Sequence, residues 1–241
     1  YDMLNDTIKI LYHVAGGNDG NNPETKLLQA SNGLLYGFAN QGGSNGAGVL
    51  FSYDINLNTE AIAHTFNTGT DGSTLTNTNL IEVNGYIYAT AVAGGANAYG
   101  TLFRYRLSDG NFEVLHNFNN NPVSGGIYPE GSLFYASNGL IYGFTEYSGP
   151  NFYPGYLYSY DIVTDTLLLV HPFGGQNDGF CDGDMLQFPT ITNSQSIKMS
   201  TVASLYPNPS AGNFNITLPS NDDYRVDIYN SFGEKIKSLN L

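Results

Sequence analysis

Asn32-Gly33-Leu34-Leu35-Tyr36-Gly37 returns as Asn84-Gly85-Tyr86-Ile87-Tyr88-Ala89 and again as Asn138-Gly139-Leu140-Ile141-Tyr142-Gly143. Asn-Gly between apolar runs is the strongest short hairpin signal, because a type I′ turn needs positive φ at both central residues. Each motif follows a strand candidate, at 26–31, 79–83 and 132–137. Each precedes a Gly-rich loop, with Gly42-Gly43, Gly94-Gly95 and Gly149 in turn. A second hairpin comes next. Its first strand reads Gly48-Val49-Leu50-Phe51-Ser52-Tyr53, then Gly100-Thr101-Leu102-Phe103-Arg104-Tyr105, then Gly155-Tyr156-Leu157-Tyr158-Ser159-Tyr160. Strand alternation puts Phe51 with Tyr53, Phe103 with Tyr105 and Tyr158 with Tyr160 on one face. The return strands end in His64-Thr65-Phe66, His116-Asn117-Phe118 and His171-Pro172-Phe173.

The period is about 52 residues, and it carries His13, His64, His116 and His171 at one phase. Four antiparallel strands per period is the unit of a kelch-like β-propeller blade. The expected fold is therefore all-β: a partial, open β-propeller-like array, with the aromatic pairs filling the space between blades. An antiparallel solenoid is the alternative. Tyr1-Asp2 matches Tyr53-Asp54, so the chain is expected to open inside a blade, with residues 1–14 supplying that blade's last strand. Units near 26–66, 79–118 and 132–173 follow, and the pattern stops near Met185-Leu186-Gln187. Propellers have typically four to eight blades, so the chain reads as a fragment with an open ring.

Composition agrees with many short strands and tight turns. Among 241 residues, 29 are Gly, 19 Tyr and 14 Phe, and only 12% are charged. A formal charge of −13 disfavours nucleic acid and anionic lipid as partners, since both are held by Lys and Arg. Cys181 is the sole cysteine, which excludes an intrachain disulfide. No apolar run approaches the ~20 residues needed to span a bilayer. No signal peptide is visible at the N-terminus.

The repeat resembles the GloVer tandem repeat of bacterial surface and secreted proteins. The residues that carry the likeness are Leu27 to Gly37, Gly42-Gly43, Gly46 to Phe51 and His64-Thr65-Phe66, with Asn18 to Pro23 as a connecting turn. The third unit departs, with Tyr147-Ser148-Gly149-Pro150 where Gly-Gly is expected. This resemblance implies architecture and carries no catalytic set. After a polar linker at 188–204, Leu205-Tyr206-Pro207-Asn208-Pro209-Ser210-Ala211-Gly212-Asn213-Phe214 and Tyr224 to Lys235 are similar to the type IX secretion C-terminal sorting domain of the Bacteroidetes. Tyr206, Pro207, Asn208, Pro209, Gly212, Ile228, Tyr229 and Gly233 carry that motif. The likeness implies a small β-sandwich, incomplete over 205–241, and handling of the parent protein by the type IX machinery to a secreted or outer-membrane surface location. The repeat array occupies 1–187.

Chemical candidates are weighed against the repeat. One His per unit at one phase suggests scaffolding, so His13, His64, His116 and His171, like Tyr36, Tyr88 and Tyr142, are read as repeat-structural residues. The loop holding Asp178, Asp182 and Asp184 would suit calcium weakly, but its spacing is not that of an EF-hand and solvated turns are the expectation. No metal site and no other cofactor is expected. No Gly-x-Ser-x-Gly, His-Glu-x-x-His or phosphate loop is present. Cys181 has no basic sequence neighbours to activate it. Loop tyrosines Tyr99, Tyr147 and Tyr153 remain as candidates for an amphipathic contact surface. The resulting expectation is a non-enzymatic exported scaffold that binds protein or polysaccharide. The alternative is an extracellular polysaccharide-active hydrolase or lyase, or its accessory module, by analogy of fold alone.

Overall fold

The computed structural model describes residues 6–8, 10–13, 16–76, 78–121, 126–148 and 153–173, and the strands at 204–206, 215–217, 225–229 and 235–240. The chain divides into two compact units, Tyr1–Phe188 and Pro189–Leu241. The first is all-β and propeller-like, and its sheets form an open array. Its described residues hold three antiparallel sheets in series, the first of five strands and the others of four.

In the first sheet the opening strand is split into β1 (Asn21–Pro23) and β2 (Leu28–Gln29), both paired with β3 (Leu35–Gln41). Between them Thr25 turns its hydroxyl to accept the Phe38 backbone N–H at 3.0 Å, so the ladder's missing acceptor is replaced by a side chain. β4 (Val49–Asp54) and β5 (Thr59–Thr65) complete the sheet. The second sheet runs β6 (Ile81–Val83), β7 (Tyr86–Ala91), β8 (Thr101–Arg106), β9 (Phe112–Asn117). The third starts with β10 (Phe134–Tyr135) and β11 (Leu140–Phe144). The small hairpin β12 (Tyr147–Ser148) and β13 (Tyr153–Pro154) interrupts it, and β14 (Tyr156–Asp161) and β15 (Thr166–Pro172) close it. That hairpin stands where the other units have Gly-Gly.

The Asn-Gly motifs make two kinds of turn. In the second unit Val83 pairs with Tyr86, leaving a two-residue loop with Asn84 at φ 52° and Gly85 at φ 78°. This is the type I′ geometry expected from the motif. In the first and third units the backbone closes one residue earlier, with Ala30 N–H donating to Leu34 O and Ala136 N–H to Leu140 O, each at 2.9 Å. The loops are then Ser31-Asn32-Gly33 and Ser137-Asn138-Gly139, with only the Gly at positive φ. Three-residue hairpins of this kind need a single left-handed residue. There Asn32 and Asn138 instead donate to the Tyr36 and Tyr142 hydroxyls, at 3.0 and 2.8 Å.

A β-bulge recurs at one place in all three sheets. Leu50 pairs with His64 but Phe51 with Ile62; Leu102 with His116 but Phe103 with Val114; Leu157 with His171 but Tyr158 with Leu169. The extra residue (Ala63, Leu115, Val170) shifts the alternation of the outer strand just before each His. Each His ring then meets the Phe two residues on, edge to face, with centroids 4.9–5.0 Å apart.

The core lies between sheets. Phe38 and Phe66 of the first unit and Phe103 of the second form a mutual cluster, with centroid separations of 5.9, 5.9 and 5.3 Å. Tyr88, Leu102 and Phe118 of the second unit pack with Ile141, Tyr158 and Tyr160 of the third. The described residues near the N-terminus, 6–8 and 10–13, lie in none of the named strands, and His13 is exposed.

In the second compact unit, β16 (Ser204–Tyr206) pairs antiparallel with β17 (Asn215–Thr217), and β18 (Arg225–Tyr229) with β19 (Lys235–Asn240).

Candidate functional site

Polar and aromatic side chains gather at both ends of the strands. At the loop end, the connection into the third unit is tied by Ile127 and Tyr147, which exchange both backbone hydrogen bonds at 2.9 and 3.3 Å. Tyr128 between them and Pro129 sits at φ 58°. Its N–H donates to Tyr99 O at 3.0 Å, and its carbonyl accepts from Glu146 N–H at 2.9 Å. Three tyrosines from three segments are thereby brought into one row. Tyr99 and Tyr128 lie 6.3 Å apart and Tyr128 and Tyr147 6.4 Å apart, both edge to face. All three are half-buried. The Tyr99 hydroxyl accepts from Asn120 Nδ2 at 3.3 Å. The Tyr147 hydroxyl is held above its ordinary range, first by its hydrogen bond to the Glu146 carboxylate. Such a row offers ring edges for packing and hydroxyls for hydrogen bonding, with little side-chain entropy to lose.

Of the loop tyrosines singled out by sequence, Tyr99 and Tyr147 join this row. Tyr153 lies on β13, and its backbone pairs with Ser148. Tyr128 was not foreseen. The signal for it was the Ile127-Tyr128-Pro129 run at a unit boundary, where the other units have Asn21-Asn22-Pro23 and Ser73-Thr74-Leu75.

At the hairpin end, a polar groove of about 400 Å³ lies between the first two units, lined by Asn32, Asn84, Tyr86, Arg106 and Ser108 among others. Arg106 donates to the Tyr86 hydroxyl at 3.0 Å and to Asp109 at 2.9 Å. Arg104 lies over the Tyr86 ring at 4.8 Å and is forked onto Glu113 at 2.7 and 2.9 Å. Both guanidiniums are thus neutralised in place. Two arginines on one strand of so acidic a chain were the sequence signal for this groove.

His64, His116 and His171 occupy the outer strands β5, β9 and β15. His64 Nε2 is 3.0 Å from Asp71 Oδ2, and its ring stacks on Phe112 of the next unit at 3.7 Å and 3°. Burial pushes His64 below its ordinary value, and the Asp71 carboxylate opposes that only in part. His116 has no such acid, and burial alone lowers it. Asp71 also accepts from Asn67 N–H at 3.1 Å, so it holds the inter-unit turn as well as the imidazole. His171 is exposed. Among the described residues no group of three or more His, Cys, Asp or Glu is arranged to hold a metal. Asp178, Asp182, Asp184 and Cys181 lie outside the described residues, as do Pro207, Asn208, Pro209, Gly212 and Gly233 of the sorting motif. Tyr206 lies on β16, and Ile228 and Tyr229 on β18.

The sequence pattern of the Gloeobacter/Verrucomicrobia repeat matches residues 1–194, and that of the secretion system C-terminal sorting domain matches residues 204–241. The sorting domain implies export to a secreted or cell-surface location, with handling by the type IX secretion machinery. No described helix is long and apolar enough to cross a membrane. No curated protein matches the chain. Among solved structures, the chain is similar to the extracellular domain of BT4673, a proposed one-component system from B. thetaiotaomicron. Identity is 20% and the TM-score 0.42, over 64% of this chain and 17% of that one. It is also similar to TolB from Acinetobacter baumannii, at 12% identity and TM-score 0.35, over 56% of this chain and 29% of that one. The chain thus spans less than a third of either structure's length.

Proposed function

Because this chain belongs to the Gloeobacter/Verrucomicrobia repeat family and carries a sorting domain, we propose that it is a non-enzymatic scaffold at the cell surface or beyond. It binds an extracellular polysaccharide or protein through the loop end of its units. The observation that carries this reading is the Tyr99–Tyr128–Tyr147 row, a half-buried amphipathic strip assembled from three segments. The way polar side chains recur supports it too. Asp54 and Asp161 each accept two backbone N–H groups in equivalent turns, and Asn45 and Asn97 each donate to the carbonyl of the Phe after the His. Polar groups spent on repeating turns belong to a scaffold, whereas a catalytic centre concentrates groups that break the repeat.

Affinity electrophoresis against a panel of polysaccharides, with surface cross-linking for protein partners, tests it. The Tyr99→Ala/Tyr128→Ala double variant is expected to weaken binding about tenfold or more, roughly 1.4 kcal/mol, while the fold persists. Unchanged binding by that variant rules the row out. Release of new sugar ends during incubation would favour the hydrolase or lyase reading instead.

A further inference from the structure

The chain holds four Asn-Gly steps: Asn32-Gly33, Asn45-Gly46, Asn84-Gly85 and Asn138-Gly139. Each sets a thermolabile carboxamide next to a backbone N–H that no β-carbon shields. Such a step can close on itself when the Gly nitrogen attacks the Asn Cγ. Closure requires the Gly N–H and the carboxamide to be released from other partners, and the peptide plane between them to turn. All four Asn are exposed, so access of water does not tell the steps apart. Their hydrogen bonds do.

In three of the steps both groups are held. Gly33 N–H donates to Ala30 O at 2.8 Å, Gly46 N–H to Gly43 O at 3.1 Å and Gly139 N–H to Ala136 O at 3.0 Å. The Asn32 carboxamide donates to the Tyr36 hydroxyl at 3.0 Å and accepts from Leu34 N–H at 3.1 Å. Asn138 repeats this with Tyr142 and Leu140, at 2.8 and 3.2 Å. Asn45 donates to Phe66 O at 3.1 Å. At the fourth step neither group is held: among the described residues, the Gly85 N–H and the Asn84 carboxamide make no hydrogen bond. The turn type is the cause. The two-residue loop closes its ladder at Val83 and Tyr86, whereas the three-residue loops offer the Ala30 and Ala136 carbonyls to the Gly N–H. The Gly85 carbonyl does accept from Leu107 N–H at 3.0 Å, but it belongs to the next peptide, so the Asn84–Gly85 plane can turn without breaking that bond.

We propose that Asn84 is a site of spontaneous covalent modification, by deamidation through a succinimide. The Gly85 nitrogen gives its proton to a solvent base and bonds to Asn84 Cγ, and the Cγ–Nδ2 bond breaks with release of ammonia. Water then opens the ring at one of its two carbonyl carbons. Its oxygen joins that carbon and a proton returns to the Gly85 nitrogen, leaving Asp or its β-linked isomer at position 84. No oxidant or reductant takes part. Asp accepts the local φ of 52° as Asn does, so the first product fits the turn. Either product places a carboxylate in the groove that Asn84 lines together with Arg106.

The full chain is held folded in mildly alkaline buffer made with heavy-oxygen water, and a second sample is held in urea. Peptide mapping by mass spectrometry reads the labelled carboxylate at each of the four Asn. Dividing the folded rate by the unfolded rate at the same Asn cancels the effect of flanking residues. At Asn32, Asn45 and Asn138 this ratio is expected to lie at least about tenfold below that at Asn84, the worth of the hydrogen bonds that must break first. Asn84→Gly, which suits the positive φ, is expected to abolish the fast reaction and leave the other three rates unchanged. A ratio at Asn84 as low as at the other three overturns the proposal, since the turn then protects every step alike. So does a fast reaction that persists in the variant.

Discussion

The contact between the first and second units and the contact between the second and third use the same phases but different chemistry. In the first, Phe38, Phe66, Phe103 and Phe112 meet within 5.0–5.9 Å of one another where they touch, with His64 at the edge and the Tyr36–Tyr105 pair beside them at 6.1 Å. In the second, Tyr158 takes the place of Phe103, and its hydroxyl is fully buried with no hydrogen-bond partner. At the phase of Phe38 stands Thr90, which satisfies itself on Thr78 at 3.0 Å. The repeat dictates where a side chain points and roughly how large it is. It does not dictate whether each polar atom is satisfied, because that depends on what the neighbouring sheet brings. Burial alone drives the Tyr158 phenol far above its ordinary range, as expected for a hydroxyl with no partner to share its proton.

Changes that sharpen this contrast differ in size. Gly143 pairs with Tyr158, as Ala89 pairs with Phe103. A methyl at Gly143 would run into the Tyr158 ring and hydroxyl, whereas Ala89 is already accommodated beside a phenyl. Gly143→Ala is therefore expected to cost about 1–3 kcal/mol by overpacking, read as a lowered urea midpoint of the full chain. Combining it with Tyr158→Phe should recover part of that loss, and no recovery would show that the hydroxyl is not the obstacle. Tyr158→Phe by itself removes an unsatisfied buried group and should be neutral or stabilising by about 1 kcal/mol. A clear destabilisation would reveal a partner for that oxygen and erase the contrast between the two contacts.

The histidines give the finest distinction. Both His64 and His116 are held below the ordinary imidazole value, chiefly by burial, so the unfolded chain takes up these protons first as pH falls. Their contribution to stability is present in full above about pH 6.5, and it is lost progressively as pH drops toward the folded values. Asp71→Ala removes the one upward influence on His64. Its ring should then titrate lower still and the acid-side loss should extend further, with His116 unmoved. Proton NMR titration of the ring resonances reads both sites at once. An upward movement of His64, or a parallel movement of His116, would break the assignment of Asp71 as the His64 partner.

Much of this was legible along the chain. The three Asn-Gly motifs located the hairpins, and alternation correctly grouped Phe103 with Tyr105 and Tyr158 with Tyr160 on one face. Two features were hidden. The turn type differed between units, because Ser31 and Ser137 add a residue that lets Gly33 and Gly139 alone take positive φ, and the Asn-Gly pair looks identical in both cases. The bulge before each His was also invisible, since one extra residue in a return strand leaves no mark on composition. Of the tyrosine row, Tyr99 and Tyr147 were nameable as loop aromatics. Tyr128 was not, because only the Ile127–Tyr147 pairing carries it to them.

Local chemistry by itself determined the all-β class, the period and the phase at which each aromatic and His recurs, because turns and strand alternation act over a few residues. Only the stacking of sheets decided that His64 lies on Phe112, that Tyr158 is left without a partner, and that Glu60 stands opposite Tyr53 where Phe112 and Leu167 stand opposite Tyr105 and Tyr160. Those facts join residues about a full period apart, and the free energies that set them, packing and desolvation, depend on what a neighbouring unit removes from water.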